Sequence, residues 1–128
     1  MRLFHTALSV RSIAKSRKFY ETVFGLQFNN EADSKELDAK FVQLKDDLGN
    51  LVELFQHNEP LPLAENLMDF QRVGIKHISF IVHNLEQVIS VAIKNGGTLV
   101  RPPRAGKTVK RNAFIGDLDG IPIELVEL

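Results

Sequence analysis

The stretch Asp117–Leu125, DLDGIPIEL, has an echo 71 residues earlier at Asp46–Leu54, DDLGNLVEL, and both fit Asp-x-x-Gly-x-x-x-Glu-Leu. The Asp/Gly part of each reads as a tight turn and the remainder as a strand. Glu53 and Glu124 therefore fall inside apolar runs, where a lone ionised carboxylate is costly to bury. Something has to compensate both charges. Two histidines stand in equivalent surroundings, His5 in LFHTALSV and His77 in IKHISFIV, 48 and 47 residues ahead of their glutamates. Two imidazoles and two carboxylates suit one divalent cation, whose charge the glutamates cancel. A single strand histidine is more often a hydrogen-bonded structural residue than a ligand, and a strand glutamate often faces solvent. Recurrence of the pair decides for ligands: His5, Glu53, His77 and Glu124.

Outward from these pairs, Arg2–Val10 reads as a strand with Phe4, Leu8 and Val10 on a core face and His5, Ala7 and Ser9 on the floor of a cleft. Ser12 caps a helix through about Phe24, with Ile13, Phe19, Tyr20, Val23 and Phe24 as its apolar stripe and Gly25 as its stop. This helix is expected to cover the Phe4 face. A strand near Leu26–Asn29, a charged turn around Glu31–Glu36, and strands near Ala39–Leu44 and Leu51–Phe55 complete a βαβββ unit. The pattern then breaks over residues 57–74, with Pro60 and Pro62 ahead of a short helix around Ala64–Phe70, and this reads as a linker.

From Ile75 the order of elements restarts. A strand over Ile75–Val82 leads to Asn84 as a cap, with Gln87 at the capping-box position. A helix over Leu85–Asn95 turns Val88, Ile89, Ala92 and Ile93 inward and stops at Gly96 and Gly97. Strands follow near Thr98–Val100, Asn112–Ile115 and Ile121–Val126, and Pro122 marks the last as an edge strand or as one whose pairing begins after the proline. His5, Ser12, Gly25 and Phe28 correspond at one offset of 72 to His77, Asn84, Gly97 and Val100, so the chain is an internal duplication. The expected fold class is α+β, with tandem βαβββ modules over 1–56 and 75–128 in a single domain. His57 and His83 have no repeat partner and read as surface residues.

Composition bounds what such a site is built on. The 128 residues are 44% apolar, enough for one core without staples. With no cysteine there are no disulfides, thiolate zinc sites or cysteine nucleophiles. Sixteen basic and sixteen acidic residues leave no net charge, hence no global electrostatic case for nucleic acid. No run approaches a membrane span, and MRLFHTALSV lacks the apolar block of a signal peptide, so a cytoplasmic protein is the expectation.

The paired modules, with HTALSVRSIAKSRKFYETVFGLQF near the start and GDLDGIPIEL near the end, resemble the vicinal oxygen chelate superfamily and, within it, glyoxalase I (lactoylglutathione lyase). The resemblance spans the whole chain. It implies the glyoxalase/bleomycin resistance/dioxygenase fold, a cupped mixed sheet around one metal held by His5, Glu53, His77 and Glu124. Nickel or zinc is implied, with cobalt or manganese also suited to the donors. It further implies a base role for Glu124 with Glu53 as its counterpart, isomerisation of a hemithioacetal to a 2-hydroxyacyl thioester, and a homodimer with shared sites. Glyoxalase I carries Arg four residues after the first His and Asn four residues after the first Glu, both contacting glutathione; this chain has Ser9 and His57 there. The ligand set is kept and the thiol-recognition set is not. A related epimerase of acyl-coenzyme A thioesters and a non-catalytic binding protein of the same fold therefore remain as alternatives. In the basic run RPPRAGKTVKR, Arg101–Arg111, the resemblance places a mobile segment over the substrate, with Arg104, Lys107 and Lys110 to hold a carboxylate or phosphate. A solvated loop is the plainer reading of the same run.

Overall fold

The computed structural model describes residues 1–63 and 65–128, which form two compact units, Met1–Pro62 and Leu63–Leu128. Unit 1 runs β1 (His5–Ser9), α1 (Ile13–Phe24), β2 (Gln27–Ser34), β3 (Ala39–Lys45) and β4 (Leu51–His57). Unit 2 repeats it with β5 (Ile78–Ile81), α2 (Leu85–Lys94), β6 (Thr98–Ala105), β7 (Arg111–Gly116) and β8 (Pro122–Glu127). The sheets are ordered β1-β4-β3-β2 and β5-β8-β7-β6. In each, the first and last strands pair in parallel and the other pairings are antiparallel. A parallel pair needs a crossover, and the sequence supplies one helix and a hairpin between its members.

The repeat extends to single hydrogen bonds. In the turn before β4, Asp46 Oδ1 accepts from the amides of Leu48 and Asn50; before β8, Asp117 Oδ1 accepts from those of Asp119 and Ile121. Gly49 and Gly120 close these turns at φ 82° and 83°, a left-handed conformation that only glycine adopts without strain. Both helices are capped alike, Ser12 Oγ accepting from the Lys15 amide and Asn84 Oδ1 from the Gln87 amide. A second acceptor reaches each helix start from the closing strand: Gln56 Oε1 takes the Ile13 amide at 2.8 Å and Glu127 Oε1 the Leu85 amide at 3.0 Å.

One face of each sheet packs on its helix. In unit 1, Phe19 and Tyr20 of α1 are buried with Val42, Leu44, Val52 and Leu54; in unit 2, Leu85, Ile89 and Ala92 of α2 are buried with Ala113, Ile115, Ile123 and Leu125. Removing each large side chain of this kind from water stabilises the fold by ~1.5–3 kcal/mol. The opposite face of each sheet carries the histidine and the glutamate.

Several local expectations are corrected. Phe4 precedes β1, is 60% exposed, and packs on the His5 ring instead of entering the core. Ile93 is likewise exposed. The expected charged turn at Glu31–Glu36 is largely β2, which continues to Ser34. An edge strand exposed along most of its length shows no apolar alternation to read. Strand β5 starts only at Ile78. Pro122 opens β8, a central strand, since a proline is tolerated at the first strand position. Ala64 lies outside the described residues, and Glu65–Phe70 forms turns rather than the expected helix. Asn66 and Asp69 capture the amides of Met68 and Gln71, which offers the backbone an alternative to helical bonding. Half of the basic run is strand, β6 continuing to Ala105 before a tight turn.

Candidate metal centre

Parallel pairing of β1 with β4 sets Ala7 beside Glu53, two residues along from His5, so His5 and Glu53 share the face away from α1. The His5 Nε2 to Glu53 Oε1 distance is 3.7 Å. Unit 2 does the same, with Ser79 beside Glu124 and His77 Nε2 at 3.4 Å from Glu124 Oε2. Both separations are beyond a good N–H···O bond. They are close to the roughly 3.0–3.5 Å that separates two donors each ~2.0–2.2 Å from one ion. The Nδ1 atoms of both histidines are buried and have no hydrogen-bond partner among the described residues. Aromatic rings fix the imidazoles instead: Phe4 lies 5.1 Å from His5, and Phe114 stands edge-on 5.1 Å from His77. Two imidazoles and two carboxylates thus fit a divalent ion by donor chemistry. Among the described residues no three His, Asp or Glu side chains gather into one metal-holding group; each unit supplies a pair.

The carboxylates are oriented by residues that sequence reasoning missed. Glu53 is 6% exposed and its Oε2 accepts from Gln43 Nε2 at 2.7 Å, the residue directly opposite on β3. Gln43 is held in turn by Asn29 Nδ2. Glu124 is held twice, Oε1 accepting from Asn112 Nδ2 at 2.8 Å and Oε2 from Ser79 Oγ at 3.1 Å. These bonds satisfy buried charge that would otherwise be costly. Only strand register could have revealed them, because Gln43 and Asn112 are ordinary polar residues in sequence.

Of the expected substrate residues, Ser9 and His57 are exposed on the Glu53 face, and His57 Nδ1 accepts the Glu59 amide. Arg104 lies in β6 opposite Asn112, whereas Lys107 and Lys110 lie beyond β6 and are exposed. Arg111 belongs to the helix side, bonded to Glu86 and Glu127. Its hydrogen bond to Glu86 raises the guanidinium above its ordinary value and holds the Glu86 carboxyl below its own.

Paired βαβββ units, each with a helix behind its sheet and a His–Glu pair in front, define an α+β protein of repeated modules. The chain belongs to the Glyoxalase/Bleomycin resistance protein/Dioxygenase superfamily, whose family model matches residues 2–125. It is 30% identical to a lactoylglutathione lyase of Neisseria meningitidis, covering 99% of this chain and 91% of that one. It is equally similar, at 30%, to an uncharacterised Bacillus subtilis protein over 98% of this chain and 91% of the other. Among solved structures, a glyoxalase family protein from Enterococcus faecalis has the same fold, with a TM-score of 0.77, 23% identity and coverage of 98% and 97%. No helix among the described residues is long and apolar enough to cross a membrane.

Proposed function

We propose that this chain is a metal-dependent, glyoxalase I-like lyase that converts the hemithioacetal of a 2-oxoaldehyde into a 2-hydroxyacyl thioester. The observation that carries this reading is the His–Glu pair itself, built twice on equivalent strands with nearly the same approach of imidazole to carboxylate. The relatives named lactoylglutathione lyase support it. His5, Glu53, His77 and Glu124 would hold one divalent ion, with nickel or zinc the first candidates and cobalt or manganese next. When bound, such an ion acts as a Lewis acid toward the adjacent oxygens of the substrate. Glu124 takes the proton from the hydroxyl-bearing carbon and returns it to the neighbouring carbonyl carbon, while the hydroxyl proton passes to the former carbonyl oxygen. One C–H bond breaks and one forms, so no redox cofactor enters. Asn112 and Ser79 aim the Glu124 carboxylate, and Glu53 faces the substrate from the other unit's sheet.

Two measurements test this. Protein given nickel, cobalt, manganese or zinc should take up one ion per set of four donors, and a variant with His5, His77 and Glu124 all changed to Ala should take up none. Unchanged uptake in that variant refutes the ligand set. Metal-loaded protein should then isomerise methylglyoxal hemithioacetals, with activity lost in Glu124→Gln.

Epimerisation of a branched acyl-coenzyme A thioester is the second reading, favoured by Ser9 and His57 at the thiol-recognition positions. Exchange of the substrate's α-proton into deuterated water distinguishes it, and activity with neither substrate class supports a binding role. A homodimer with shared sites is part of the proposal. Mixing His5→Ala with Glu124→Ala chains should then restore about a quarter of wild-type activity, because one site of each heterodimer is intact.

A further inference from the structure

Strand β6 departs from the regular pleat twice. Its pairing with β7 runs Leu99 to Ile115, Arg101 to Phe114 and Arg104 to Asn112, so one extra residue is inserted after Leu99 and another between Arg101 and Arg104, at Pro102–Pro103. In an unbroken strand, residues three apart point to opposite faces. The second bulge cancels that alternation and sets both arginines opposite residues of one face. That face is the one bearing Glu124. Phe114 is the cross-strand neighbour of Glu124, and the Asn112 side chain bonds it.

Arg101 is also preorganised. Its guanidinium lies over the Phe114 ring, 5.0 Å from the centroid, and the same ring stands against His77. Stacking on an aromatic face restrains a guanidinium while leaving its N–H donors at the rim. Among the described residues neither Arg101 nor Arg104 has a carboxylate within ion-pair distance, unlike Arg111 with Glu86 and Glu127. Two cations without counter-ions therefore stand on the sheet face of a candidate reaction centre, held there by bulges on a strand with two prolines.

We propose that Arg101 and Arg104 form an oxoanion clamp that binds a carboxylate or phosphate on the non-reacting arm of the substrate. The clamp rests on the placement of the reacting group near Glu124 and makes the substrate class specific: a thioester or hemithioacetal whose thiol moiety is anionic. Lys107 and Lys110 are not part of it. A planar guanidinium pair grips an oxoanion through several directed N–H bonds, whereas the exposed lysines of the turn offer only screened point charges.

Calorimetric titration of the metal-loaded protein with S-methylglutathione, coenzyme A and uncharged pantetheine tests it. Arg101→Gln and Arg104→Gln should each weaken binding of an anionic probe about 10-fold, and the double variant about 100-fold, as expected for loss of charge-assisted hydrogen bonds. Pantetheine binding should not change. Lys107→Gln/Lys110→Gln, which removes the same charge, should change anion binding less than about twofold. A loss confined to coenzyme A identifies phosphate as the ligand group, and a loss confined to S-methylglutathione identifies carboxylate; either supports the clamp. Equal effects of the arginine and lysine pairs, no loss with either anion, or no anion binding by wild-type protein overturns it. Arg104 is exposed, so its variant reads binding without disturbing the fold. Metal uptake measured alongside separates the two proposals, since intact uptake with no anion discrimination sinks the clamp alone.

Discussion

The two units share a skeleton down to individual backbone hydrogen bonds and differ in what surrounds the His–Glu pair. Unit 1 holds its glutamate with one amide, from Gln43, while unit 2 uses Asn112 and the Ser79 hydroxyl. At the place of Ser79 unit 1 has Ala7, and at the place of Asn112 it has Phe41, whose ring stacks on Phe55 at 5.1 Å. Both edge strands bulge near their start, but only β6 bulges again. The repeated features are those needed to form a module and to aim one histidine at one glutamate. The features that differ are those that set the chemistry of each half, so unit 2 emerges as the more elaborated side.

The largest effect that would break the likeness lies in the cores. Tyr20 and Ala92 are matched positions of α1 and α2, and both are fully buried. Tyr20→Ala removes a large aromatic side chain and should cost ~3–5 kcal/mol, whereas Ala92→Gly should cost only ~1 kcal/mol. Urea unfolding of the two variants measures this; equal losses would mean that the helices are not equivalent supports.

Next comes the asymmetry at the carboxylates. Asn112→Leu should lower divalent-metal affinity ~10–100-fold, and Gln43→Leu should do so over a similar range, as removal of a ligand-orienting partner does. Ser79→Ala should have a smaller effect, because Asn112 still holds the other oxygen of Glu124. Competition against a chelator gives all three affinities, and an effect of Ser79→Ala as large as that of Asn112→Leu would reverse the assigned order.

Smaller again are the caps. Ser12→Ala and Asn84→Ala each remove one acceptor from a helix start and should cost ~1 kcal/mol apiece. If the two costs differ by much more than the second acceptors, Gln56 and Glu127, account for, the atomic repeat is not an energetic one.

The smallest effect is in acid. Burial pushes the Asp46 carboxyl up, but the side chain and amide of Asn50 and the amides of Leu48 and Gly49 outweigh it and hold the group below 3.8. A carboxylate depressed on folding contributes stability that is present above its unfolded value and lost as pH falls through the folded one. The stability difference between wild type and Asp46→Asn should therefore be constant near neutrality and shift only as pH drops below 3.8. A difference that varies mainly above that pH would show that another group is responsible.

Much of this was legible in the sequence for a local reason. An Asp-x-x-Gly turn closes on its own amides, a cap bonds a residue three positions on, and a helix stripe follows its own period, so adjacent letters suffice to read them. Those signals, read twice at one offset, determined the βαβββ order, both helices and the His–Glu pairs. Tertiary structure alone decided which side chains meet across strands. Gln43 and Asn112 reach their glutamates, and Arg101 and Arg104 share a face, because register and two bulges set partners that are 10 to 20 positions apart in the chain or that alternation assigns to the wrong side. It also turned Phe4 away from the core and drew β2 out to Ser34, since pairing to a neighbouring strand stabilises an exposed segment whose own residues carry no alternating pattern.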